Sequence, residues 1–156
     1  MDEAVARSIA KWPNVPAVYG WLALDRRGNW RIKGEKIANA ALREFIARNY
    51  EADSRGCWFF QNGPQRVYVS LAYTPWVVHY DESDAVLDHC GSPFAVDETF
   101  ADEEGSVLLV QKKKIALLDD RDLGRYAESG ERLPLLSKSE IPARFGFVQE
   151  PVVSLR

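Results

Sequence analysis

The strongest constraint on folding in this chain is the Asn62-Gly63 pair inside the segment CWFFQNGPQRVYVSLAY. Both residues accept a positive φ, so the pair predicts a tight hairpin turn between the two flanking runs. Pro64 is tolerated as the first residue of a strand, because its missing N–H need not interrupt the ladder there. The segment therefore predicts two antiparallel strands, over residues 57–61 and 65–73.

A further pair of strands and one helix are predicted before this hairpin. Residues 19–24 and 29–33 have the composition of strands, and Asp25-Arg26-Arg27-Gly28 between them is typical of a turn. Apolar residues recur at helical spacing from about Glu35 to Glu51. The order β-β-α-β-β predicts an α+β fold, with one helix packed on a small antiparallel sheet.

The remainder of the chain predicts a smaller, mostly-β subdomain. Its predicted strands are residues 76–80, 94–96, 106–111 and 115–118, of which the last two form either a hairpin or one bent strand. Acidic residues at 119–122 suit the start of a short helix that runs to about Ser129. The proline-containing tail, 133–156, predicts short extended pieces on the surface.

Charge is divided unequally along the chain. Residues 1–75 contain 11 Lys+Arg and 7 Asp+Glu, a balance of +4, whereas residues 76–156 contain 9 and 16, a balance of −7. All five tryptophans lie at or before Trp76. We therefore expect an N-terminal arm (1–18), an α+β subdomain (19–75) and an acidic, mostly-β subdomain with a C-terminal tail (76–156).

Composition narrows the class of protein. The chain is 46% hydrophobic and 28% charged, and no apolar run approaches the roughly 18 residues that a membrane span needs. The acidic start, Met1-Asp2-Glu3, is unlike a secretory signal. Two cysteines, Cys57 and Cys90, suit a reducing compartment. We expect a cytoplasmic protein with no membrane partner, and the oligomeric state stays open.

Residues that could bind a metal or attack a substrate are few and poorly spaced. The candidates are His79, Asp88, His89, Cys90 and Cys57. None of them forms a pair at the spacing of known zinc sites, and the acidic clusters lack the calcium-loop pattern. No glycine-rich phosphate loop is present either. We therefore expect no cofactor, no metal and no catalytic residue.

A basic and aromatic sheet face is the best candidate for binding. If the two hairpins share a sheet, Arg31, Lys33, Arg66 and Tyr68 lie on the face that the helix leaves uncovered. Such a face is either a solvated surface or a site for an anion or carboxylate. Gln61 and Asn62 would then orient the ligand and Trp76 would form an apolar wall. Nucleic acid is not expected as a partner, because the RNA-binding consensus is absent and half of the chain is acidic.

The segments LDRRGNWRIKGEKIANAALREFI and CWFFQNGPQRVYVSLAYTPWVVH resemble uncharacterised bacterial proteins of the domain-of-unknown-function 1285 type, or a sister family. The matching residues are Gly28-Asn29-Trp30, Gly34, Trp58-Phe59-Phe60, Arg66 and Pro75-Trp76. The resemblance implies two α+β subdomains in tandem with a cleft between them, and ligand binding or signalling without established catalysis. The turn Asn62-Gly63-Pro64-Gln65 departs from the family pattern, so the ligand expected at this loop differs as well.

Three functions remain as hypotheses. The first is a non-catalytic protein that binds a small anionic ligand or acts in signalling, with Arg66 making the charge-assisted contact and Arg31 or Lys33 backing it. The second is a protein–protein adaptor that uses the aromatic first half or the acidic second half. The third is a hydrolase-type enzyme that uses His79, His89 and Cys90 together with Asp88.

Overall fold

Two mixed β-sheets with short helices form the framework of the protein, which confirms the predicted α+β class. The structure, a computed structural model, describes residues 3–127 and 132–153. Within these residues, a first unit comprises 3–25, 29–72 and 148–153, and a second unit comprises 26–28, 73–127 and 132–147.

The first unit contains two helices and a six-stranded sheet. In chain order its elements are α1 (Glu3–Ile9), β1 (Ala17–Leu24), β2 (Trp30–Ile32), β3 (Glu35–Lys36), α2 (Ala40–Arg48), β4 (Tyr50–Ala52), β5 (Trp58–Asn62) and β6 (Gln65–Leu71). The strand order is β3-β2-β1-β6-β5-β4. The β5–β6 hairpin has the predicted turn, with Asn62 opposite Gln65.

The sheet of the first unit is mixed, whereas the sequence predicts an antiparallel one. Strand β2 pairs with one edge of β1, and the other edge of β1 receives β6, which runs in the same direction. Helix α2 connects the two halves of the sheet and covers one face of it. Leu42 and Ile46 of α2 are buried, and Phe45 meets Phe60 edge to face at 5.4 Å.

Helix α2 begins later than the apolar spacing predicts. Glu35 and Lys36 pair with Ile32 and Arg31, because the chain turns back at Lys33 and Gly34, both with positive φ. Asn39 then caps the helix, and its side chain accepts a hydrogen bond from the Leu42 amide.

Both ends of the described chain belong to the first unit. Trp12, just after α1, meets Phe60 edge to face at 5.7 Å, so the expected N-terminal arm contributes to the core. At the other end, the amide of Val148 donates to the Gly56 carbonyl, and the amide of Leu71 donates to the Gln149 carbonyl. The compact units therefore divide the chain differently from the three ranges expected from composition.

The second unit contains a five-stranded sheet and short helices. Its elements are β7 (Trp76–Tyr80), β8 (Val86–Asp88), β9 (Glu98–Ala101), β10 (Val107–Gln111), β11 (Lys114–Leu118), a 3₁₀ helix (Asp120–Asp122), α3 (Leu123–Ala127), a 3₁₀ helix (Lys138–Glu140) and α4 (Ile141–Phe145). The strand order is β8-β7-β11-β10-β9.

Two predictions for the second unit change, for the strand at 94–96 and the tail, and one open alternative is resolved in favour of the hairpin. The expected strand at 94–96 is replaced by β9, and Phe94 instead joins the apolar core. The apolar runs after Ser106 form a hairpin, with Gln111 opposite Lys114. The expected tail includes the helix α4, and the predicted helix end at Ser129 lies outside the described residues.

The two sheets repeat one topology. Leaving out β3, each has a first strand that pairs in parallel with the last strand, and the remaining pairs are antiparallel. The registers also correspond: Phe60 opposite Val67 is equivalent to Leu109 opposite Ala116. On the opposite face, Arg66 is equivalent to Ile115 by the same alignment. Positions can therefore be compared between the units residue by residue.

None of the helices in the described part of the chain is long and apolar enough to cross a membrane.

Candidate functional site

Arg66 lies on the sheet face opposite α2, at the hairpin end of β6. Side chains along β6 alternate between the two faces of the sheet, so those of Val67 and Val69 lie on the other face, in the core. The exposed guanidinium lies 4.3 Å from the centre of the Phe59 ring. Among the described carboxylates, none forms an ion pair with Arg66. The pKa of Arg66 is raised chiefly by the neighbouring Tyr68 hydroxyl, with smaller contributions from Asp53 and Glu51.

Tyr68 belongs to the same face but is buried. Its ring stacks on Tyr19 with centroids 4.7 Å apart and planes inclined by 7°. Strand β1 is irregular beside this contact, since Val18 is opposite Val67 whereas Leu22 is opposite Val69. The Tyr68 hydroxyl donates a hydrogen bond of 3.1 Å to Asp53 Oδ2.

Asp53 anchors this face through the turn between β4 and β5. Its Oδ1 accepts hydrogen bonds from the backbone amides of Arg55 at 2.9 Å and Cys57 at 3.0 Å. Burial alone would raise the pKa of Asp53, but these two amides and the Tyr68 hydroxyl outweigh burial and lower it. The carboxylate is therefore ionised at neutral pH and held in one orientation.

Arg55 brings a second guanidinium to the same place. It lies 3.7 Å from Asp53 Oδ2, and 43% of its side chain is exposed. Its pKa is raised first by the charge that Cys57 carries when ionised, then by Asp53 and by hydrogen bonding to the hydroxyls of Tyr19 and Tyr68. Together with Arg66, it places two cations around one tyrosine hydroxyl. We call this surface the tyrosine–arginine face; its residues are Tyr19, Arg55, Phe59, Arg66 and Tyr68.

Arg31 and Lys33 lie elsewhere in the first unit. Arg31 donates to Asp25 Oδ2 at 2.8 Å and to the Gly34 carbonyl at 3.0 Å. It is level with Ser70, which is about 13 Å along β6 from Arg66 at the usual rise per residue. Lys33 occupies the β2–β3 turn, with its ammonium 4.6 Å from the Trp21 ring. The structure therefore brings neither cation to the tyrosine–arginine face.

Gln61 and Asn62 hold the hairpin turn. The Gln61 side-chain amide donates to the Gly63 carbonyl at 2.5 Å, and that of Asn62 donates to Gln65 Oε1 at 3.0 Å. Gln65 in turn donates to the Pro13 carbonyl at 2.6 Å. Gln61 is opposite Arg66 in register and so shares its face.

Trp76 belongs to the second unit. Its ring centre lies 3.7 Å from the Lys114 ammonium and 5.5 Å from the ring of His89. These contacts anchor the start of β7, and the second unit supplies all of them.

His79 and His89 line one cavity of about 340 Å³ in the second unit. Its other lining residues are Arg27, Gly28, Val77, Tyr80, Asp119, Arg121 and Asp122. The cations there are already paired, since Arg27 binds Asp120 at 2.8 Å and Arg121 binds Asp119 through two nitrogens. The cavity wall thus contains two histidines beside two arginines whose charges are balanced by carboxylates.

The geometry around His89 and Cys90 does not assemble a nucleophile. Burial lowers the pKa of His89 to about 4, and its Nδ1 accepts a hydrogen bond from the Val77 amide at 3.2 Å. Burial, with the charge of Asp88, raises the pKa of the Cys90 thiol to about 12. Asp88 itself accepts from the Cys90 amide and pairs with Lys114. In the described part of the chain, no group of three or more His, Cys, Asp or Glu side chains could hold a metal ion.

The sequence interpretation missed Tyr19, Asp53 and Arg55. A signal for Asp53 was present, because ADSRG at residues 52–56 and ADEEG at 101–105 repeat one turn pattern. Asp102 accepts the amides of Glu104 and Ser106 in the same way. Nothing local indicates the stacking of Tyr19, since it depends on the parallel β1–β6 pairing.

Comparison with protein families gives a match over residues 1–152 to the family described as protein of unknown function DUF2946. The chain belongs to this family. No curated protein matches the chain. The expected relation to an uncharacterised family, of the 1285 type or a sister family, agrees with this match.

Two solved structures are similar to the chain. A DUF1285 family protein from Silicibacter pomeroyi has a TM-score of 0.55 and 14% identity, covering 90% of this chain and 99% of that one. Another from Shewanella baltica has a TM-score of 0.49 and 14% identity, covering 69% of this chain and 90% of that one. The likeness to the Silicibacter protein shows a shared fold.

Proposed function

We propose that the protein binds a small anionic ligand on the tyrosine–arginine face and performs no covalent chemistry on it. The observation that carries this proposal is the environment of the Arg66 guanidinium. Its guanidinium is positioned by the Phe59 ring and the Tyr68 hydroxyl, yet it has no ion pair with a described carboxylate. A positioned guanidinium with unused N–H groups suits a carboxylate or phosphate, which it can bind through two parallel hydrogen bonds.

The repeated topology supports a role for Arg66 outside folding. The equivalent residue in the second unit, Ile115, is buried with 2% of its surface exposed, and Phe100 takes the place of Glu51. The segment containing α4 contacts that apolar face, with Arg144 over the Phe100 ring. One fold therefore accepts an apolar residue at this position, and the charge on Arg66 is best explained by a ligand.

The surroundings of Arg66 indicate what the ligand contains. Arg55 supplies a second cation, and the hydroxyls of Tyr19 and Tyr68 supply further polar atoms. The ring of Phe59 lies directly beneath Arg66. Phe59 and Tyr68 are buried, whereas Tyr19 is half-buried, so an anionic group attached to a planar or apolar body would use the cations and the exposed part of the Tyr19 ring.

Titration with benzoate tests this proposal, with neutral benzamide as the matched probe. Benzoate should raise the melting temperature and shift the amide resonances of Phe59 and Arg66, whereas benzamide should do neither. Arg66→Ala should fold normally and lose both responses. Arg48→Ala, which removes an exposed arginine of α2, should keep them. If Arg66→Ala unfolds the protein, Arg66 is a structural residue and the proposal fails.

Docking of an acidic protein segment is a second candidate, which corresponds to an adaptor function. The contrast between the sheets favours it, because the second unit covers its equivalent face with its own chain whereas Arg66 remains exposed. A glutamate-rich peptide that binds in an Arg66-dependent manner, without any response to benzoate, would establish this function instead. The expected signalling role, bacterial origin and cytoplasmic location stay predictions.

A further inference from the structure

A second cavity in the second unit has three cations among its eight lining residues. Its volume is about 320 Å³, and it lies between the β10–β11 turn and the end of α4. Lys112 and Lys113 come from the turn, and Arg144 comes from α4. Its other lining residues are Glu98, Val110, Ala143, Phe145 and Gly146. Among the described residues, none forms an ion pair with any of the three cations.

The third lysine of this turn behaves differently. The Lys114 ammonium lies 3.4 Å from Asp88 Oδ2 and 3.7 Å from the Trp76 ring centre, so it is engaged within its own unit. Lys112 and Lys113 have exposed side chains, neither of which forms an ion pair with a described carboxylate, and the backbone amide of Lys112 donates to Asp97 Oδ2. Two adjacent lysines are thus available for an anion.

Lys112 also occupies a backbone position that favours glycine. Its φ is 58°, and the equivalent residue in the first unit is Gly63, with a φ of 57°. At a positive φ, lysine makes the folded protein less stable than glycine does, because the lysine Cβ crowds the backbone in this region. At this turn position the second unit therefore has an ammonium group and a strained backbone conformation, whereas the first unit avoids the strain with a glycine.

We propose that this cavity binds an organic phosphate, with Lys112, Lys113 and Arg144 around the phosphate group. Three cations and one lining carboxylate, Glu98, leave an excess of two positive charges. A phosphate monoester carries about two negative charges at neutral pH and matches this excess, whereas a carboxylate carries one. Phe145, Val110 and Ala143 provide an apolar wall for the organic part. The site is independent of the tyrosine–arginine face, since all of its residues belong to the second unit.

Titration with phenyl phosphate, followed by amide resonances, tests the site. The full chain should show saturable shifts at Lys112, Lys113 and Gly146, and benzoate should bind there more weakly. Lys113→Gln should weaken the affinity about tenfold, as expected for losing one charge-assisted contact. Arg132→Gln, an exposed change outside the cavity, should have no effect.

Lys112→Gly separates binding from folding. Because glycine suits a φ of 58°, this variant should be as stable as the natural protein or more stable, yet bind phenyl phosphate about tenfold more weakly. Arg66→Ala should leave these shifts unchanged, which distinguishes the site from the tyrosine–arginine face. Absence of saturable shifts at about 50 mM phenyl phosphate, or equal affinity in Lys112→Gly, would overturn the proposal.

Discussion

Arg66 and Ile115 occupy the same position in two sheets of the same strand order, one as an exposed cation and the other as a buried apolar residue. In the second unit this face is covered by the segment that contains α4. In the first unit, residues 148–150 contact the sheet beside Cys57 and Leu71, while Arg66 stays exposed. The fold therefore accepts an apolar residue at this position, and the positive charge is a feature of the tyrosine–arginine face.

Replacing Glu51 with Gln should strengthen anion binding at the tyrosine–arginine face. Glu51 lies on the same face as Phe59, and its negative charge contributes to the raised pKa of Arg66. Its removal should lower the dissociation constant for benzoate about two- to threefold at low salt. Glu44→Gln, an exposed change on α2, is the control and should leave the constant unchanged. Weaker binding by Glu51→Gln would contradict the placement of the anion beside Arg66.

Tyr68→Phe should destabilise the first unit at neutral pH and make its stability less dependent on pH in the acid range. The change removes a hydroxyl that donates to Asp53, at a cost of about 1 kcal/mol in the free energy of unfolding at pH 7. Asp53 has a lowered pKa, so its stabilising contribution is present above about 3.8 and is lost as pH falls through the folded value. Without the hydroxyl that pKa rises towards the unfolded value, so less unfolding free energy is lost between pH 7 and pH 3.

Urea unfolding of Tyr68→Phe between pH 3 and 7 measures both effects. Tyr19→Phe serves as the control, because the only described hydroxyl that donates to Asp53 is that of Tyr68. An equal loss of unfolding free energy between pH 7 and pH 3 in Tyr68→Phe and in the natural protein would show that this hydrogen bond does not lower the pKa of Asp53.

Gly28→Ala should destabilise the second unit more than Gly105→Ala does. Both glycines have a positive φ, 81° and 84°, so alanine at either position costs about 1–2 kcal/mol. A Cβ on Gly28 would also lie 2.8 Å from the Cβ of His89, whereas one on Gly105 meets nothing within 4 Å. The crowding should add about 1–3 kcal/mol, which thermal unfolding of the two variants can resolve. Equal destabilisation would mean that the chain relaxes around His89.

Local signals in the sequence were sufficient for the hairpins. Asn62-Gly63 predicts the β5–β6 turn and its register, and the structure has Asn62 opposite Gln65. The exposed position of Arg66 follows from the same alternation along β6. These features depend on residues close together in the chain, and therefore they could be predicted.

Contacts between distant segments account for the features that the sequence interpretation missed. The parallel β1–β6 pair brings Tyr19 onto Tyr68, and no local pattern specifies that pairing. Arg55 lies in an ordinary turn, and the sequence alone does not indicate a binding site there. It belongs to the site because the β5–β6 pairing brings Tyr68 next to Asp53, which Arg55 also contacts. Trp76, expected to form an apolar wall of the site, belongs to the second unit, whereas Arg66 belongs to the first.

Cys90 and Cys57 should both resist alkylation in the folded protein. Burial raises the pKa of Cys57, and burial with the charge of Asp88 raises that of Cys90 to about 12. At pH 8 only about one Cys90 thiol in ten thousand would then be a thiolate, the form that reacts with iodoacetamide. Mass spectrometry should show little modification of the native protein within the time that fully modifies urea-unfolded protein.

The same alkylation experiment tests the hydrolase hypothesis. A nucleophilic cysteine reacts faster in the folded state than in the unfolded state, because its environment stabilises the thiolate. The surroundings of Cys90 act in the opposite direction, since Asp88 is negative and His89, with a pKa of about 4, is neutral at pH 8. Rapid native modification of Cys90, absent in a Cys90→Ser control, would contradict this and restore the enzyme as a candidate.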